Sequence, residues 1–136
     1  MKISFVIAVY HNEGAISKTH EAIQSIFEKT LVEHEYEIIF VDDGSTDGSL
    51  HEILTLREVD HRVKGITFTR NFGQMAAMLA GFKEATGDAV INISADLQDP
   101  IDLIPDMVKQ WMGGSELVIC HRTQREDNFF DWHCGP

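Results

Sequence analysis

The chain has 136 residues, of which 11 are Lys or Arg and 22 are Asp or Glu, so its formal net charge is −11. This length suits one domain with a buried core, and a hydrophobic fraction of 43% argues against a disordered chain. The acidic excess repels phosphate backbones, which argues against nucleic-acid binding through a basic patch. An anionic ligand therefore needs a cation to accompany it.

Short apolar runs alternate along the chain with segments of helical periodicity. This pattern is typical of an α/β fold, in which helices cover both faces of a mostly parallel sheet. The first predicted helix has apolar side chains at three- and four-residue spacing from Ala15 to Phe27. We interpret residues 1–122 as one domain and residues 123–136 as an irregular tail. Strands are predicted at residues 3–10, 37–41, 63–69, 89–93 and 117–120.

Capping patterns locate two further helices. Ser49 and Glu52 have the spacing of a capping box, in which each side chain satisfies an amide at the start of its own helix. Asp99-Pro100 predicts the start of the last helix, with the acid as N-cap and the proline at the first helical position. Gly113-Gly114 is expected to end that helix.

The helix between these two has an apolar stripe that we interpret as core. Gly87 is expected to end this helix in a left-handed conformation. The residues of the stripe are Met75, Met78, Leu79 and Phe82.

The cysteines and the apolar segment at the start of the chain indicate the cellular compartment of the protein. Cys120 and Cys134 lack the spacing of a metal site, so we interpret them as free thiols, one buried and one in the tail, of a reducing compartment. Residues 3–10 are too short to cross a bilayer and lack the features of a signal peptide. The chain is therefore expected to be soluble and cytoplasmic.

Candidate functional residues follow the predicted strands, because ligands of open α/β sheets bind beyond the carboxyl ends of the strands. These positions are polar and acidic at residues 11–14 (HNEG), 42–47 (DDGSTD) and 94–99 (SADLQD). A glycine-rich dinucleotide fingerprint and a lysine-containing phosphate loop are both missing from the sequence. This argues against the alternative of a dinucleotide-dependent oxidoreductase.

Carboxylates at two strand ends, without a phosphate loop, predict that a divalent cation carries the phosphates. Asp96 and Gln98 are candidate ligands for Mg²⁺ or Mn²⁺, because alternate side chains of an extended segment face the same way. The alternative for Asp96 is a turn residue, and Asp99 is interpreted as a cap only.

Asp42 and Asp43 are adjacent, so an extended backbone turns them in opposite directions. We expect Asp42 to face the ligand, where it can accept hydrogen bonds from a nucleobase or a ribose hydroxyl. Asp43 is then expected to hold the turn at Gly44.

The motifs together resemble the family 2 glycosyltransferases of the GT-A fold. Nearest are the bacterial polyprenyl-phosphate glycosyltransferases, which include the bactoprenol glucosyltransferases of O-antigen modification and resemble dolichol-phosphate mannose synthases. The resemblance covers almost the whole chain. The matching segments are residues 37–49 (EIIFVDDGSTDGS), 70–74 (RNFGQ), 87–88 (GD) and 95–100 (ADLQDP), with Arg122 and Arg125.

The resemblance implies a site for a nucleotide-diphosphate sugar. Asp96 and Gln98 match the residues that hold Mg²⁺ or Mn²⁺, and Asp96 and Arg122 match catalytic positions, with Arg122 meeting a phosphate. For Arg70 the alternative is a surface ion pair. The implied nucleotide-sugar contacts are Tyr10, Glu13, Asp42, Ser94 and Arg70.

The implied reaction is inverting transfer of the sugar to a polyprenyl phosphate, at the cytoplasmic face of the inner membrane in full-length relatives. The sequence departs from the family at Ser94, which replaces an acid, and at Ala8, which replaces a proline. It also stops before the acceptor-binding and membrane segments of relatives. A non-catalytic, truncated remnant that at most binds nucleotide-sugar is therefore the alternative, and an unfinished sheet edge favours a homo-oligomer.

Overall fold

The computed structural model describes the backbone of residues 1–126 and 129–135, and the side chains of residues 1–121. The chain divides into two compact units, Met1–Asp99 and Pro100–Pro136. In the first unit, strands and helices alternate as expected. They are β1 (Lys2–Val9), α1 (Ile16–Lys29), β2 (Glu35–Asp42), α2 (Ser49–Val59), β3 (Val63–Thr67), α3 (Gln74–Glu84) and β4 (Ala89–Asn92).

The four strands of the first unit form one parallel sheet in the order β3-β2-β1-β4. β1 lies in the interior of this sheet, with Phe5 paired to Ile38 on one side and to Ile91 on the other. Strands that are covered on both faces can be apolar along their whole length, as the sequence of β1 is. The predicted parallel sheet is confirmed.

The two faces of the sheet are covered by different helices. Phe5 belongs to one face, where its ring meets the ring of Phe27 from α1 edge-on at 5.9 Å. On the same face, Gly65 of β3 lies against the side chain of Ile53 from α2. Val6 belongs to the opposite face and packs with Ala77 of α3. Helices on both faces are therefore confirmed.

The apolar stripe of α3 is not core, contrary to our interpretation. The buried residues of α3 are Ala77 and Gly81. A Cβ atom on Gly81 would clash with Val6 Cγ1, so the helix backbone lies directly on the sheet and leaves no space for large side chains. The exposed fractions within the stripe reach 68% at Met75, 63% at Leu79 and 41% at Phe82.

Gly87 is also used differently from the expected left-handed cap. Helix α3 already ends at Glu84, and Ala85 after it is extended. A Cβ atom on Gly87 would lie 2.8 Å from the carbonyl oxygen of Lys2 and 2.7 Å from Ser4 Oγ. Glycine is needed here because the chain passes close to β1 before β4 begins.

Glu37 on β2 is buried and forms the centre of a polar network near the amino ends of the strands. Its carboxylate accepts hydrogen bonds from Ser4 Oγ at 2.7 Å, Thr86 N at 2.7 Å and Lys2 Nζ at 2.8 Å. Lys64 Nζ lies 2.9 Å away. Burial alone would raise the pKa of Glu37, but these donors outweigh it and hold the pKa far below its ordinary value.

In the second unit, a 3₁₀ turn (Ile101–Leu103) leads into α4 (Ile104–Met112). The helix therefore begins later than predicted, and Pro105 rather than Pro100 occupies its first turn. Asp99 does not cap it, because its carboxylate accepts the amide of Ser94 instead. Gly113 caps the C-terminus and Gly114 has a φ of 104°, so the predicted end of α4 is confirmed.

Two antiparallel strands, β5 (Ile119–Glu126) and β6 (Phe129–Gly135), follow α4 in the segment expected to be largely irregular. Cys120 is disulfide-bonded, which corrects its interpretation as a free thiol. The strand register places Cys120 opposite Cys134. Residues 127, 128 and 136 of the expected tail lie outside the described residues. The domain boundary after residue 122 stays a prediction.

None of the helices in the described part of the chain is long and apolar enough to cross a membrane.

Replacing Glu37 by Gln is expected to lower the free energy of unfolding by about 1–3 kcal/mol, because an amide group leaves buried donors without an acceptor. The lowered pKa of Glu37 means that its stabilisation is present above pH 4.5 and is lost as the pH falls toward the lowered value. Urea unfolding at pH 7 and at pH 4 measures the free energy of unfolding of both chains. This free energy should decrease less between pH 7 and pH 4 in Glu37→Gln than in the wild-type chain.

Glu35→Gln is the matched control, because Glu35 is exposed on the same strand. This control should change the free energy of unfolding by less than about 0.5 kcal/mol. Equal stability of the Glu37→Gln and Glu35→Gln variants at pH 7 would contradict the prediction.

Candidate functional site

A cavity of about 410 Å³ lies beyond the carboxyl ends of β1 and β4. The chain leaves β1 toward β2 on one side and returns from β3 to β4 on the other, so the cavity occupies the point where the strand order reverses. Open α/β sheets bind ligands at such points. The cavity is lined by Ala8, Val9, Tyr10, Asn12, Asp43, Asn71, Gly73, Gln74, Ile93, Ser94, Ala95, Asp96 and Gln98.

The loop after β4 brings Asp96 and Gln98 to the cavity together, as the sequence predicts. The reason differs from the extended geometry that we expected. The loop turns, because Leu97 between the two residues has a φ of 59° and the amide of Gln98 donates to Asp96 Oδ1 at 3.4 Å. Both side chains are exposed.

Other side chains hold this loop and leave Asp96 exposed. Asp99 Oδ2 accepts the amide of Ser94 at 2.6 Å, and Ser94 Oγ accepts the amide of Asp99 at 3.2 Å. Thr19 of α1 donates its hydroxyl to the carbonyl oxygen of Ala95 at 2.8 Å. Asp99 therefore stabilises this loop through Ser94, and its interpretation as a helix cap is wrong.

The expected orientation of Asp42 and Asp43 is reversed. Asp42 is buried and does not line the cavity, since its carboxylate accepts the amide of Ser45 at 3.2 Å and the hydroxyl of Thr67 at 3.0 Å. Asp43 lines the cavity. The strand ends at Asp42, so strand alternation does not govern the residue that follows. The contact of Asp42 with a nucleotide stays a prediction.

Asp43 also organises the segment that leads into α3. Its two carboxylate oxygens accept the amides of Phe72 at 2.7 Å and Gly73 at 3.0 Å. Gly73 has a φ of 96°, a conformation that favours glycine. Asn71 and Gln74 thereby reach the cavity wall. Sequence reasoning missed these carboxamides, although the RNFGQ motif contains both.

Glu13 does not line the cavity, and its implied nucleotide contact stays a prediction. Its carboxylate accepts the amide of Gly48 at 3.0 Å, which ties the loop after β1 to the loop after β2. Asp47 Oδ2 accepts the amide of Glu13 in return, at 3.3 Å. These residues connect two loops at the cavity side of the sheet.

The capping box predicted at the start of α2 is wrong, because Ser49 and Glu52 satisfy amides of the loop after β1 and of α1. Ser49 Oγ accepts the amide of Asn12 at 2.9 Å. Glu52 accepts the amides of Gly14 and Ser17, each at 2.7 Å. We call the contacts between residues 11–17 and residues 45–52 the loop clasp.

The remaining predicted residues differ in placement. Tyr10 and Ser94 line the cavity. Arg70 does not line it, and its guanidinium lies over the ring of Phe72 at 4.5 Å. Arg122 lies on β5 in the second unit, and its side chain is outside the described residues. Its phosphate contact stays a prediction.

The cavity wall is anionic. Asp43 and Asp96 contribute carboxylates, and no Lys or Arg belongs to the described lining. Asn12, Asn71 and Gln98 add neutral carboxamides, whose oxygens accept and whose nitrogens donate hydrogen bonds. The wall is suited to hydroxyl groups, to a nucleobase and to a cation.

Comparisons with known proteins agree on one family. Residues 4–135 match the family model described as Glycosyl transferase family 2. The chain is 42% identical over 125 residues to the prophage bactoprenol glucosyl transferase homolog of Escherichia coli (strain K12), covering 92% of the chain and 40% of the relative. It is 38% identical to the undecaprenyl-phosphate 4-deoxy-4-formamido-L-arabinose transferase of Proteus mirabilis (strain HI4320), covering 95% of the chain and 39% of the relative. The chain thus spans about 40% of the length of these relatives.

Solved structures show the same fold. The mannosyltransferase PcManGT from Pyrobaculum calidifontis, in complex with GDP-Man and Mn²⁺, matches with a TM-score of 0.68 and 21% identity over 90% of this chain and 35% of that one. S. aureus TarS 1-349 in complex with UDP matches with a TM-score of 0.56 and 29% identity, covering 71% and 28% respectively. The predicted GT-A fold is confirmed.

Replacing Glu52 by Gln is expected to lower the free energy of unfolding by about 1–3 kcal/mol, because the new NH₂ group faces the amide of Gly14 or of Ser17 and leaves that donor without an acceptor. Although burial opposes ionisation of Glu52, these hydrogen bonds lower its pKa. The stabilisation is therefore present at neutral pH and decreases as the pH falls. Urea unfolding at pH 7 measures it.

Glu58→Gln on the same helix serves as the control, because Glu58 is exposed. Hydrogen exchange gives the second measurement, in which the amide of Gly14 or of Ser17, whichever faces the new NH₂ group, should lose protection in Glu52→Gln only. Unchanged protection of both amides would show that Glu52 does not hold the loop clasp.

Proposed function

The chain belongs to the glycosyl transferase family 2, and on that premise we propose that its cavity binds a nucleotide-diphosphate sugar together with Mg²⁺ or Mn²⁺. We further propose that the chain supplies the donor site for inverting transfer of the sugar to a polyprenyl phosphate. The bactoprenol and undecaprenyl-phosphate names of its relatives support this choice of acceptor.

The anionic cavity wall is the observation that carries the proposal. A nucleoside diphosphate is itself anionic, and the described lining holds Asp43 and Asp96 without any Lys or Arg. The carboxylates of the cavity wall would repel the diphosphate unless a cation lay between the wall and the diphosphate. A divalent ion makes the same wall attractive, so the acidity of the cavity supports metal-dependent binding.

Asp96 and Gln98 fit such an ion. One carboxylate and one amide oxygen are hard ligands, and Mg²⁺ commonly uses one or two carboxylates and completes its shell with water and substrate phosphates. Asp96 is exposed at the cavity, while Asp99 keeps its own carboxylate engaged with Ser94. Asp96 and Gln98 would therefore hold the ion, which when bound would neutralise charge on the diphosphate leaving group.

The reaction needs little acid–base help from the chain. The bond from the anomeric carbon to the diphosphate oxygen breaks, with its electron pair leaving on the nucleoside diphosphate, while an acceptor phosphate oxygen bonds to the opposite face of that carbon. This oxygen is already anionic near neutral pH, so the nucleophile requires no strong general base. What remains for the chain is to bind and orient the donor.

The proposed donor contacts come from several loops. Tyr10 offers an aromatic ring to the nucleobase, and Ser94 offers a hydroxyl group to the ribose or to water. Asp42 would contribute to nucleotide recognition, and Arg122 to a phosphate contact and to catalysis together with Asp96. Glu13 would act through its contact with Gly48, and Arg70, whose guanidinium lies over the ring of Phe72, stays a proposed donor contact.

Replacing Asp96 by Ala is expected to weaken UDP binding in the presence of Mn²⁺ by at least about tenfold, because one of two metal ligands is lost. Isothermal titration of the chain with UDP, and with GDP in parallel, measures this change. In EDTA, the wild-type chain and Asp96→Ala should bind equally weakly, since neither can then use the ion.

Asp102→Ala is the control, because Asp102 is an exposed acid on the 3₁₀ turn and does not line the cavity. It should bind UDP as the wild-type chain does. Absence of UDP and GDP binding to the wild-type chain would refute the proposed function. Binding without transfer to a polyprenyl phosphate would favour the alternative of a chain that binds donor only.

A further inference from the structure

We propose that His11 is a positioning residue, whose ring holds the ring of Tyr10 as a stacking surface for the nucleobase. The inference rests on the proposed function and concerns a residue that does not itself line the cavity. Thr46, on the loop after β2, completes the arrangement by binding the His11 ring.

The two rings are stacked on each other. Their centroids lie 4.1 Å apart with an angle of 22° between the planes, which is close to parallel. Tyr10 lines the cavity and is 47% exposed, so one face of its ring is covered by His11 while much of the ring stays open to a ligand. A base placed on the open side would extend the stack.

The backbone of His11 is in an unusual conformation. Its φ is 52°, and together with Leu97 it is one of two non-glycine residues with positive φ in the described part of the chain. Such a conformation costs free energy and persists only where surrounding contacts maintain it. In this conformation the His11 side chain lies on the ring of the preceding residue, Tyr10.

Two contacts to the loop after β2 maintain this conformation. The amide of His11 donates to Ser45 Oγ at 3.1 Å. His11 Nε2 lies 3.0 Å from Thr46 Oγ1, a hydrogen bond in which the hydroxyl and the ring nitrogen exchange roles with the tautomer. Through His11, the loop clasp therefore extends to the ring of Tyr10 in the cavity.

A held ring binds a base more tightly than a mobile one. An exposed tyrosine on a loop samples several rotamers, and a ligand that stacks on it must select one of them. Holding the ring in advance removes this cost, which corresponds to roughly a threefold to tenfold difference in affinity for one immobilised side chain. Binding of the diphosphate part of the ligand should not depend on the position of the Tyr10 ring.

The test compares UDP with inorganic pyrophosphate, each titrated in the presence of Mn²⁺, because only UDP carries a base. His11→Asn keeps a residue that tolerates positive φ and removes the ring. His11→Phe keeps a ring that can stack and removes the contact with Thr46. Thr46→Val keeps the shape of the threonine and removes its hydroxyl group. GDP is titrated in parallel with UDP.

We expect His11→Asn to bind UDP about threefold to tenfold more weakly and pyrophosphate as the wild-type chain does. His11→Phe and Thr46→Val both keep a ring against Tyr10 and both remove the contact between Nε2 and Oγ1, so each should bind UDP with an affinity between those of the wild-type chain and His11→Asn. A thermal midpoint within a few degrees of the wild-type value would accompany each substitution, since both residues are exposed.

Unchanged UDP binding in His11→Asn would overturn the inference and leave the proposed function intact. Equal weakening of UDP and pyrophosphate would also overturn it, because a general distortion of the loop affects both ligands. A loss in His11→Phe as large as that in His11→Asn would exclude the stacked ring as the cause. A wild-type chain that binds neither UDP nor GDP would refute the proposed function, and the inference with it.

Discussion

The interior position of β1 is the constraint on which the rest of the structure depends. β1 pairs with β2 on one side and with β4 on the other. The chain therefore adds β2 and β3 on one side of β1 and then returns past β1 to form β4 on the other side. The carboxyl ends of β1 and β4 then diverge into separate loops and leave a cavity between them. Tyr10 and Asp96 follow different strands and are 86 residues apart (96 minus 10) in sequence, yet they line this one cavity.

Packing on the sheet gives the loops of the cavity a stable base, and hydrogen bonds set their shapes. Helix α3 lies close to β1 because Gly81 has no side chain, which brings the start of α3 to the cavity wall. Carboxylates that are buried or partly buried accept the backbone amides of these loops. Asp43 accepts two amides ahead of α3, and Glu52 accepts two amides at the start of α1. Acids that look functional in sequence thus satisfy the backbone donors of loops.

The alternation of strands with helices and the periodicity of apolar residues predict the parallel sheet, its helices and the end of the sheet at which the cavity lies. These features are predictable because burial of apolar faces leaves a direct signal in the sequence. The errors share a physical cause, because contacts between residues that are distant in sequence leave no such signal. Ser49 and Glu52 have the spacing of a capping box but satisfy the amides of another helix. Met75 has helical spacing but is exposed, because nothing local reveals that Gly81 lies against Val6. The predicted ligand pair, Asp96 and Gln98, does reach one wall.

The acidic side chains that give the chain its net charge of −11 have two roles. Glu37 and Glu52 are partly or wholly buried, and their charges are compensated by donors within the fold. Asp96 is exposed at the cavity, where the amide of Gln98 is the one hydrogen-bond donor to its carboxylate among the described residues. A carboxylate that contributes so little to the fold is available to a ligand, whereas its neighbour Asp99 is not. Asp96 and Asp99 belong to the same short loop, so the distinction between them is one of hydrogen bonding and not of position in the sequence.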